Sequence, residues 1–552
     1  MKHMLRKKIS DALTALAQKE GLEGFDISRN FVVEEPRDAK HGHLATNAAM
    51  TTSKVFRKKP ADLADLIMAG IDNSEGWIER MEKAGPGFIN FTLSLKWWAE
   101  ALGGLLAAGD SFGRGETKNR KVMVEFVSAN PTGPLHVGHG RGAAIGDALA
   151  RVMEYAGFEV VREYYINDAG RQMRILGASV YARLLELSGS AEPFPEDHYR
   201  GEYIKDLAKE VWDEKGPAIL SRPREEVEAE LTDFAEKRIL NGIKEDLAAF
   251  RVQHEVWFRE TTLYKDGLVP KALADLKARD QLYEKDGALW FRSEALGDDK
   301  DRVLIKSSGD QTYFAADIAY HWNKYDRGFD QIIDVLGADH HGYVQRLKSA
   351  VKAFGRDPET LNVLLVQLVS LIKEGKVVAM STRAGEFVTL REVVDEVGAD
   401  AARFIFLTRS PDSPLDFDID LAKSQTKDNP VYYVQYVGAR INSILKSAAE
   451  AGLPVDGPAD LSLLVEPEEV ALIKHLTTFP DLIQSAAAHQ EPHHLTSYLS
   501  SLARLFHHYY SRHRIAADDP KLAAARLTLA RAIRGMVRRG LNLLGVESPD
   551  SM

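Results

Sequence analysis

Residues 122–156, VMVEFVSANPTGPLHVGHGRGAAIGDALARVMEYA, constrain the fold more than any other stretch of this chain. The apolar run that begins it, closed off by Pro and Gly, reads as a buried strand, and the small and apolar residues after Leu135 read as a helix. A strand that enters a helix through such a loop opens a doubly wound, parallel α/β sheet, in which ligands collect at the C-terminal ends of the strands. His136, Gly138 and His139 stand where the helix begins. Unpaired backbone N–H groups, the positive end of the helix dipole and two imidazoles therefore converge there, a seat suited to a nucleotide phosphate. Gly138, Gly140, Gly142 and Gly146 also admit a dinucleotide loop, although their spacing fits that fingerprint poorly. Two histidines three residues apart are also often just what one face of a structural helix carries.

At 552 residues the chain exceeds what one hydrophobic core can serve, so several domains are expected. Its lack of cysteine excludes disulfides, a thiolate nucleophile and Cys-ligated zinc, leaving only His and carboxylates for any metal. The N-terminus is basic and then amphipathic, without the apolar core of a signal peptide, and no stretch of about 18 apolar residues occurs. The expectation is a cytoplasmic protein with no membrane partner. A net charge of −10 argues against a general nucleic-acid coat but not against a local basic surface. From Arg504 onward, Arg512, Arg514, Lys521, Arg526, Arg531, Arg534, Arg538 and Arg539 outnumber Asp518, Asp519, Glu547 and Asp550. His507, His508, Tyr509 and Tyr510 lie among them, a mixture suited to RNA phosphates and unstacked bases, or simply to a solvated helix face.

Three units are expected. Residues 1–112 read as a small α/β unit, with helices near Lys8–Lys19 and His43–Arg57, an extended piece ending at Gly85–Thr92, and a Gly-rich linker at Gly109–Gly115. Residues 113–428 carry the sheet, with strands from Lys121 and at Glu159–Ile166, Arg302–Lys306, Gln331–Leu336 and Asn362–Leu368. A charged helical insertion interrupts them at about 188–300. Residues 429–552, opening at Asn429-Pro430, read as an all-α bundle.

Val124–Asn130, Tyr313–His321 and Met380–Gly385, taken with His136-Val137-Gly138-His139, resemble the class I aminoacyl-tRNA synthetases, and specifically the arginyl-tRNA synthetases of bacterial type. The similarity extends to His41–Asn47, Gly85–Asn90, Gly337–Gly342 and Asn429–Tyr433. It implies a Rossmann-like catalytic domain that joins L-arginine to its cognate tRNA through an arginyl-adenylate, releasing AMP and pyrophosphate. It also implies an N-terminal domain at the tRNA elbow and a C-terminal anticodon-binding domain. The implied partners are tRNA(Arg), L-arginine and ATP, with Mg²⁺ arriving on ATP and no structural metal, and the chain is expected to be a monomer. Such a reaction brings two anions in line and gathers charge on pyrophosphate, so it calls for donors and cations rather than a nucleophile.

By resemblance His136 and His139 are catalytic donors to the phosphates, and Gly138, Asp339, His340, Met380 and Ser381 join them around ATP. Glu125 and Asn130 hold the α-amino and carboxylate end of arginine, while Tyr313 and Asp317 meet its side chain. The guanidinium is a rigid fork of donors that carboxylates satisfy well, and Asp317 is the expected clamp. Tyr320 and His321, one turn on, suit core packing equally. Tyr432, Tyr433, Gln435 and Tyr436 are the expected tRNA contacts. The second motif of the class departs from its usual form: Ala379-Met380-Ser381-Thr382-Arg383 lacks both lysines, and Thr132-Gly133-Pro134 offers no substitute. Arg383 is expected to act as the phosphate cation, with Lys376 the other choice. A non-catalytic tRNA-binding paralogue and a His/Asp metallohydrolase built on Asp339-His340-His341 are the competing readings.

Overall fold

Five parallel strands form the centre of the fold: Lys121–Glu125, Glu159–Ile166, Val256–Arg259, Gln331–Gly337 and Leu361–Val366. The computed structural model describes residues 1–22, 31–36, 38–378 and 387–552. Counted in chain order, the five strands lie side by side as 5-4-1-2-3. The winding reverses between strands one and four, and that reversal opens a crevice at the C-terminal edge of the sheet. Val122, Met123 and Val124 of strand one are 0% exposed. Helices cover both faces, which is why this strand is apolar without alternation. Helix Val137–Tyr155 follows strand one and packs on it through Gly146, where a Cβ would lie 2.2 Å from the Phe126 side chain. That closeness requires glycine.

The stretch expected as a helical insertion holds more than helices. Glu202–Lys215 and Arg224–Ala249 are helical, but Val256–Arg259 returns to the edge of the central sheet beside Glu159–Ile166. Leu282–Lys285 and Ala288–Phe291 pair with Arg302–Ile305 in a separate antiparallel sheet, so the strand expected at Arg302–Lys306 forms there. Four-residue strands offer too few positions to reveal a period of two among charged neighbours.

In the N-terminal unit, helices Lys2–Lys19, Ala48–Phe56 and Pro60–Gly70 accompany an antiparallel sheet of Val33–Glu34, Leu44–Thr46, Phe88–Leu93 and Ile78–Ala84, in that spatial order. At the other end, Asn429 caps helix Pro430–Glu450 by accepting the Val431 N–H at 3.2 Å, with Pro430 in the first turn. Helices Pro467–Thr477, Phe479–His489, His494–Arg512 and Pro520–Leu543 complete the bundle. Part of the basic tail is tied to the fold rather than left free in solvent. Arg526 is 8% exposed and pairs with Glu469 at 2.8 Å, Arg531 with Asp456 at 2.6 Å, and Arg539 reaches the Gly109 carbonyl. Among the described residues no helix is long and apolar enough to cross a membrane.

Candidate active site

His136 is the N-cap of helix Val137–Tyr155, and its Nδ1 accepts the backbone N–H groups of Gly138 at 3.1 Å and His139 at 3.4 Å. His139 Nδ1 accepts the His136 N–H at 3.2 Å in return. The pair does what Ser and Glu do in a capping box, and the two rings stack with centroids 3.7 Å apart. A ring nitrogen that accepts a backbone N–H carries no proton, so each neutral imidazole keeps its hydrogen on Nε2. Burial lowers the pKa of His136, and burial together with the neighbouring ring pushes His139 down to about 3. Both are therefore neutral donors of fixed direction. A Cβ on Gly138 would come within 3.0 Å of the His136 ring, so glycine is what lets that ring fold back over the first turn.

Burial lowers five further histidines: His43, His254 (to about 4), His475, His493 and His507. The unfolded chain takes up these protons near the ordinary value of 6.5 while the fold refuses them, so the stabilisation is present above that pH and lost as pH falls toward 4. Four carboxyls whose pKa desolvation raises, Glu125, Asp246, Glu260 and Asp317, act in the opposite sense and are outnumbered. The thermal midpoint of the substrate-free protein is expected to fall steadily from pH 7 to pH 5; a midpoint that stays level or rises would contradict the neutral imidazoles.

The loop between strand one and this cap is strained. Val127 and Ser128 have φ of +69° and +41°, the first a rare conformation for a β-branched residue. The surroundings hold it in place: Ser128 Oγ donates to Glu125 Oε1 at 2.9 Å and accepts the Tyr165 N–H at 3.1 Å. Tyr164 and Tyr203 donate to the Ala129 and Thr132 carbonyls at 2.8 and 2.7 Å, and Asn130 donates to Gln172 at 2.8 Å. Beyond it, Val137 donates to the Val388 carbonyl at 3.1 Å, Leu390 donates to the Leu135 carbonyl at 2.8 Å, and Phe387 meets the His136 ring edge-on. The chain leaving the second class motif thus seats against the histidines. Met380, Ser381 and Arg383 themselves lie outside the described residues.

Two groups of carboxylates bear on the site. Glu125 pairs in register with Asp334 on one side and Glu163 on the other. Lys324, 0% exposed, sits 2.5 Å from Glu125 and 2.7 Å from Asp334, while Arg327 forks Glu163 at 2.6 and 2.9 Å. Tyr320 donates to Glu163 at 2.6 Å and His321 lies 2.9 Å from Asp334, so both residues tie their helix to the sheet. The second group is Asp317, on helix Tyr313–Asp326, and Glu260, at the start of helix Glu260–Lys265. Tyr343 donates to Asp317, and Tyr264 donates to Glu260 at 3.0 Å. Burial raises both carboxyls, and the charge of Asp317 raises Glu260 further. Among the described residues neither has a Lys or Arg within 4.0 Å, unlike Glu125. Two recessed like charges without a cation are costly unless a ligand supplies one.

Tyr313 is 70% exposed at the mouth, its hydroxyl beside Gly170. Asp339 and His340 are exposed in the turn Ala338–Tyr343 that follows strand four and also carries Tyr343. The ligand-like atoms of Glu466, Glu468 and His513, within 4.8 Å of one another, lie far from this edge on the bundle, where Arg512 also holds Glu468. Sequence reasoning missed Glu260, Tyr165, Tyr264, Tyr343 and Lys324. Glu260 is one of 81 acidic residues and stands in a charged stretch that offers no signal. Tyr343 immediately follows a recognised segment and was within reach.

On the bundle, Tyr432 and Tyr436 stack at 6.1 Å, and His507 stacks on Tyr436 at 5.8 Å. Tyr433 lies 4.6 Å from His507, and Arg440 lies over both Tyr436 and Tyr510. A cleft of about 560 Å³ beside them is lined by Arg440, Arg512, His513 and Arg514. Gln435 does not join this face, contrary to expectation. It is 6% exposed and donates at 2.9 Å to both Asp400 and the Glu547 carbonyl, inside the seam between the catalytic unit and the bundle. A position one residue from Tyr436 on a helix points elsewhere.

A doubly wound parallel sheet with a histidine-capped helix at its switch point, followed by a helical bundle, defines a class I aminoacyl-tRNA synthetase. The family model described as tRNA synthetases class I (R), catalytic domain, matches residues 102–411, between an arginyl tRNA synthetase N terminal domain at 3–93 and a DALR anticodon binding domain at 434–552. The arginine–tRNA ligase of Syntrophotalea carbinolica is 50% identical over 100% of both chains, and that of Nitratidesulfovibrio vulgaris is 50% identical over 99% of this chain and 100% of its own. The chain belongs to the arginyl-tRNA synthetase family. The solved arginyl-tRNA synthetase of Thermus thermophilus shares the fold, with a TM-score of 0.78 over 100% of both chains at 24% identity.

Proposed function

We propose that this chain activates L-arginine with ATP and transfers it to tRNA(Arg), releasing AMP and pyrophosphate. The observation that carries the reading is the recessed pair Asp317 and Glu260, which has no Lys or Arg within 4.0 Å among the described residues and accepts instead from the Tyr343 and Tyr264 hydroxyls. A guanidinium supplies the missing positive charge and a planar set of donors for both carboxylates. Glu125 and Asn130 take the α-amino and carboxylate end, and Tyr313 closes over the side chain. His136 and His139 donate Nε2–H to the phosphates, Gly138, Asp339, His340, Met380 and Ser381 surround the nucleotide, and Arg383 neutralises pyrophosphate. Mg²⁺ enters with ATP as part of the substrate. Tyr432, Tyr433 and Tyr436, with Arg440 and His507, receive anticodon bases by stacking. Residues 1–112 meet the tRNA elbow, 113–428 catalyse, and 429–552 read the anticodon, in a cytoplasmic monomer.

The test is arginine-dependent exchange of pyrophosphate into ATP, run with and without tRNA, beside direct charging of tRNA. Charging specific to arginine is the expected result. Silence of both exchange reactions and of charging would leave a tRNA-binding paralogue instead.

A further inference from the structure

Asp334 and Glu163 are the register partners of Glu125 on the two parallel strands that flank it, so three carboxylates stand in a row on strands about 5 Å apart. All three are buried, at 2%, 6% and 0% exposure. The two outer members are saturated. Both oxygens of Glu163 accept from Arg327 and one also accepts from Tyr320; Asp334 takes Lys324 on Oδ1 and His321 on Oδ2. Glu125 differs: Lys324 holds Oε2, while Oε1 has only the hydroxyl of Ser128, in the strained loop that opens onto the crevice. Of the six oxygens in the row, Glu125 Oε1 alone has no Lys, Arg or His nitrogen against it among the described residues.

We propose that Lys324 is a positioning residue for the amino acid: shared between Glu125 and Asp334, it keeps the Glu125 carboxylate ionised and turned so that Oε1 faces the α-ammonium of arginine. The inference rests on the reading that Glu125 receives that ammonium. Lys324 itself is sealed from the site and touches no substrate. Without it, Glu125 would stand between two carboxylates in a dry environment and take up a proton, which abolishes its attraction for a cation. The charged and titratable groups that face Glu125 are Tyr320 and Lys324 on the overlying helix, Arg327 beyond it, Asp334 and Glu163 on the flanking strands, and Tyr165, while His321 faces Asp334 and Asp317 faces Tyr343.

The experiment compares steady-state constants and pH profiles of the full-length enzyme and its Lys324→Met variant. At pH 7, kcat/KM for arginine is expected to fall about 100-fold while KM for ATP stays within about threefold. The arginine profile of the variant should gain an ascending limb between about pH 6.5 and 8.5, as Glu125 ionises late. Adding Asp334→Asn removes one repelling neighbour and should move that limb down by about one pH unit. Equal losses for both substrates, a profile like that of the parent enzyme, or a limb indifferent to Asp334→Asn would overturn the proposal in favour of simple packing. If Lys324→Met does not fold, Lys324→Gln carries the same test; failure of both to fold would make the ion pair a requirement of the fold and also overturn it. Glu125→Gln separates the two levels. If it leaves KM for arginine unchanged, the underlying reading of Glu125 fails, whereas a large rise in that KM beside a silent Lys324→Met defeats the role of Lys324 alone.

Discussion

Asp317→Asn is expected to lower kcat/KM for arginine about a thousandfold, ~4 kcal/mol, with little change in KM for ATP. The substitution keeps size and shape and removes only charge, so it tests whether the recessed pair is held in reserve for a cation. In the substrate-free enzyme, Asp317 and Glu260 repel each other, and burial raises both carboxyls. Removing one charge should therefore raise thermal stability slightly while arginine binding collapses. Stability and function are expected to move in opposite directions, as strained binding sites do. Glu260→Gln should act in the same way, and the double variant should lose less than the sum, because each carboxylate serves the same guanidinium. Isothermal titration of arginine beside a melting curve decides the matter: an affinity within a few-fold of the parent value would remove Asp317 from the specificity pocket.

His136→Asn separates two duties of one residue. Asparagine is among the best N-caps, so helix Val137–Tyr155 should start as before and the melting midpoint should hardly move. The stacked Nε2–H donor, however, is gone. A loss of about 10²–10³ in kcat is expected, with modest changes in either KM, because donors aimed at developing phosphate charge act in the transition state more than in the ground state. His139→Ala should show a similar kcat loss together with a small loss of stability, since the reciprocal bond to the His136 N–H disappears. Pyrophosphate exchange with tRNA present is the measurement. A near-normal kcat for His136→Asn would reduce the ring to a structural cap.

What could be read in the sequence was local. The histidine cap is a contact between residues three apart, and its spacing announces it; the opening of the bundle at Asn429-Pro430 and the apolar strand one were legible in the same local way. Asp317 and Glu125 were legible only because their segments resemble a family. What escaped depends on contacts distant in sequence. Lys324 meets a strand almost two hundred positions away, and nothing in YFAADIAYHWNKYD distinguishes a buried lysine from a solvated one. Glu260 acquires meaning only from Asp317 across the crevice. Gln435 was misread because a helix bearing three tyrosines on its outer face also has an inner one, and charge patterning misled for Arg526 because long basic stems bury as readily as they extend.

One helix, Tyr313–Asp326, carries both the carboxylate expected at the far end of the amino acid and the lysine that anchors its near end. Asp317 and Lys324 are two turns apart, about 10 Å of rigid rise. On the proposed reading, the distance over which the substrate must stretch is gauged by a stiff rod. On the proposed mode of binding, a cationic amino acid with a shorter side chain is expected to leave one terminal unmet when it reaches the other.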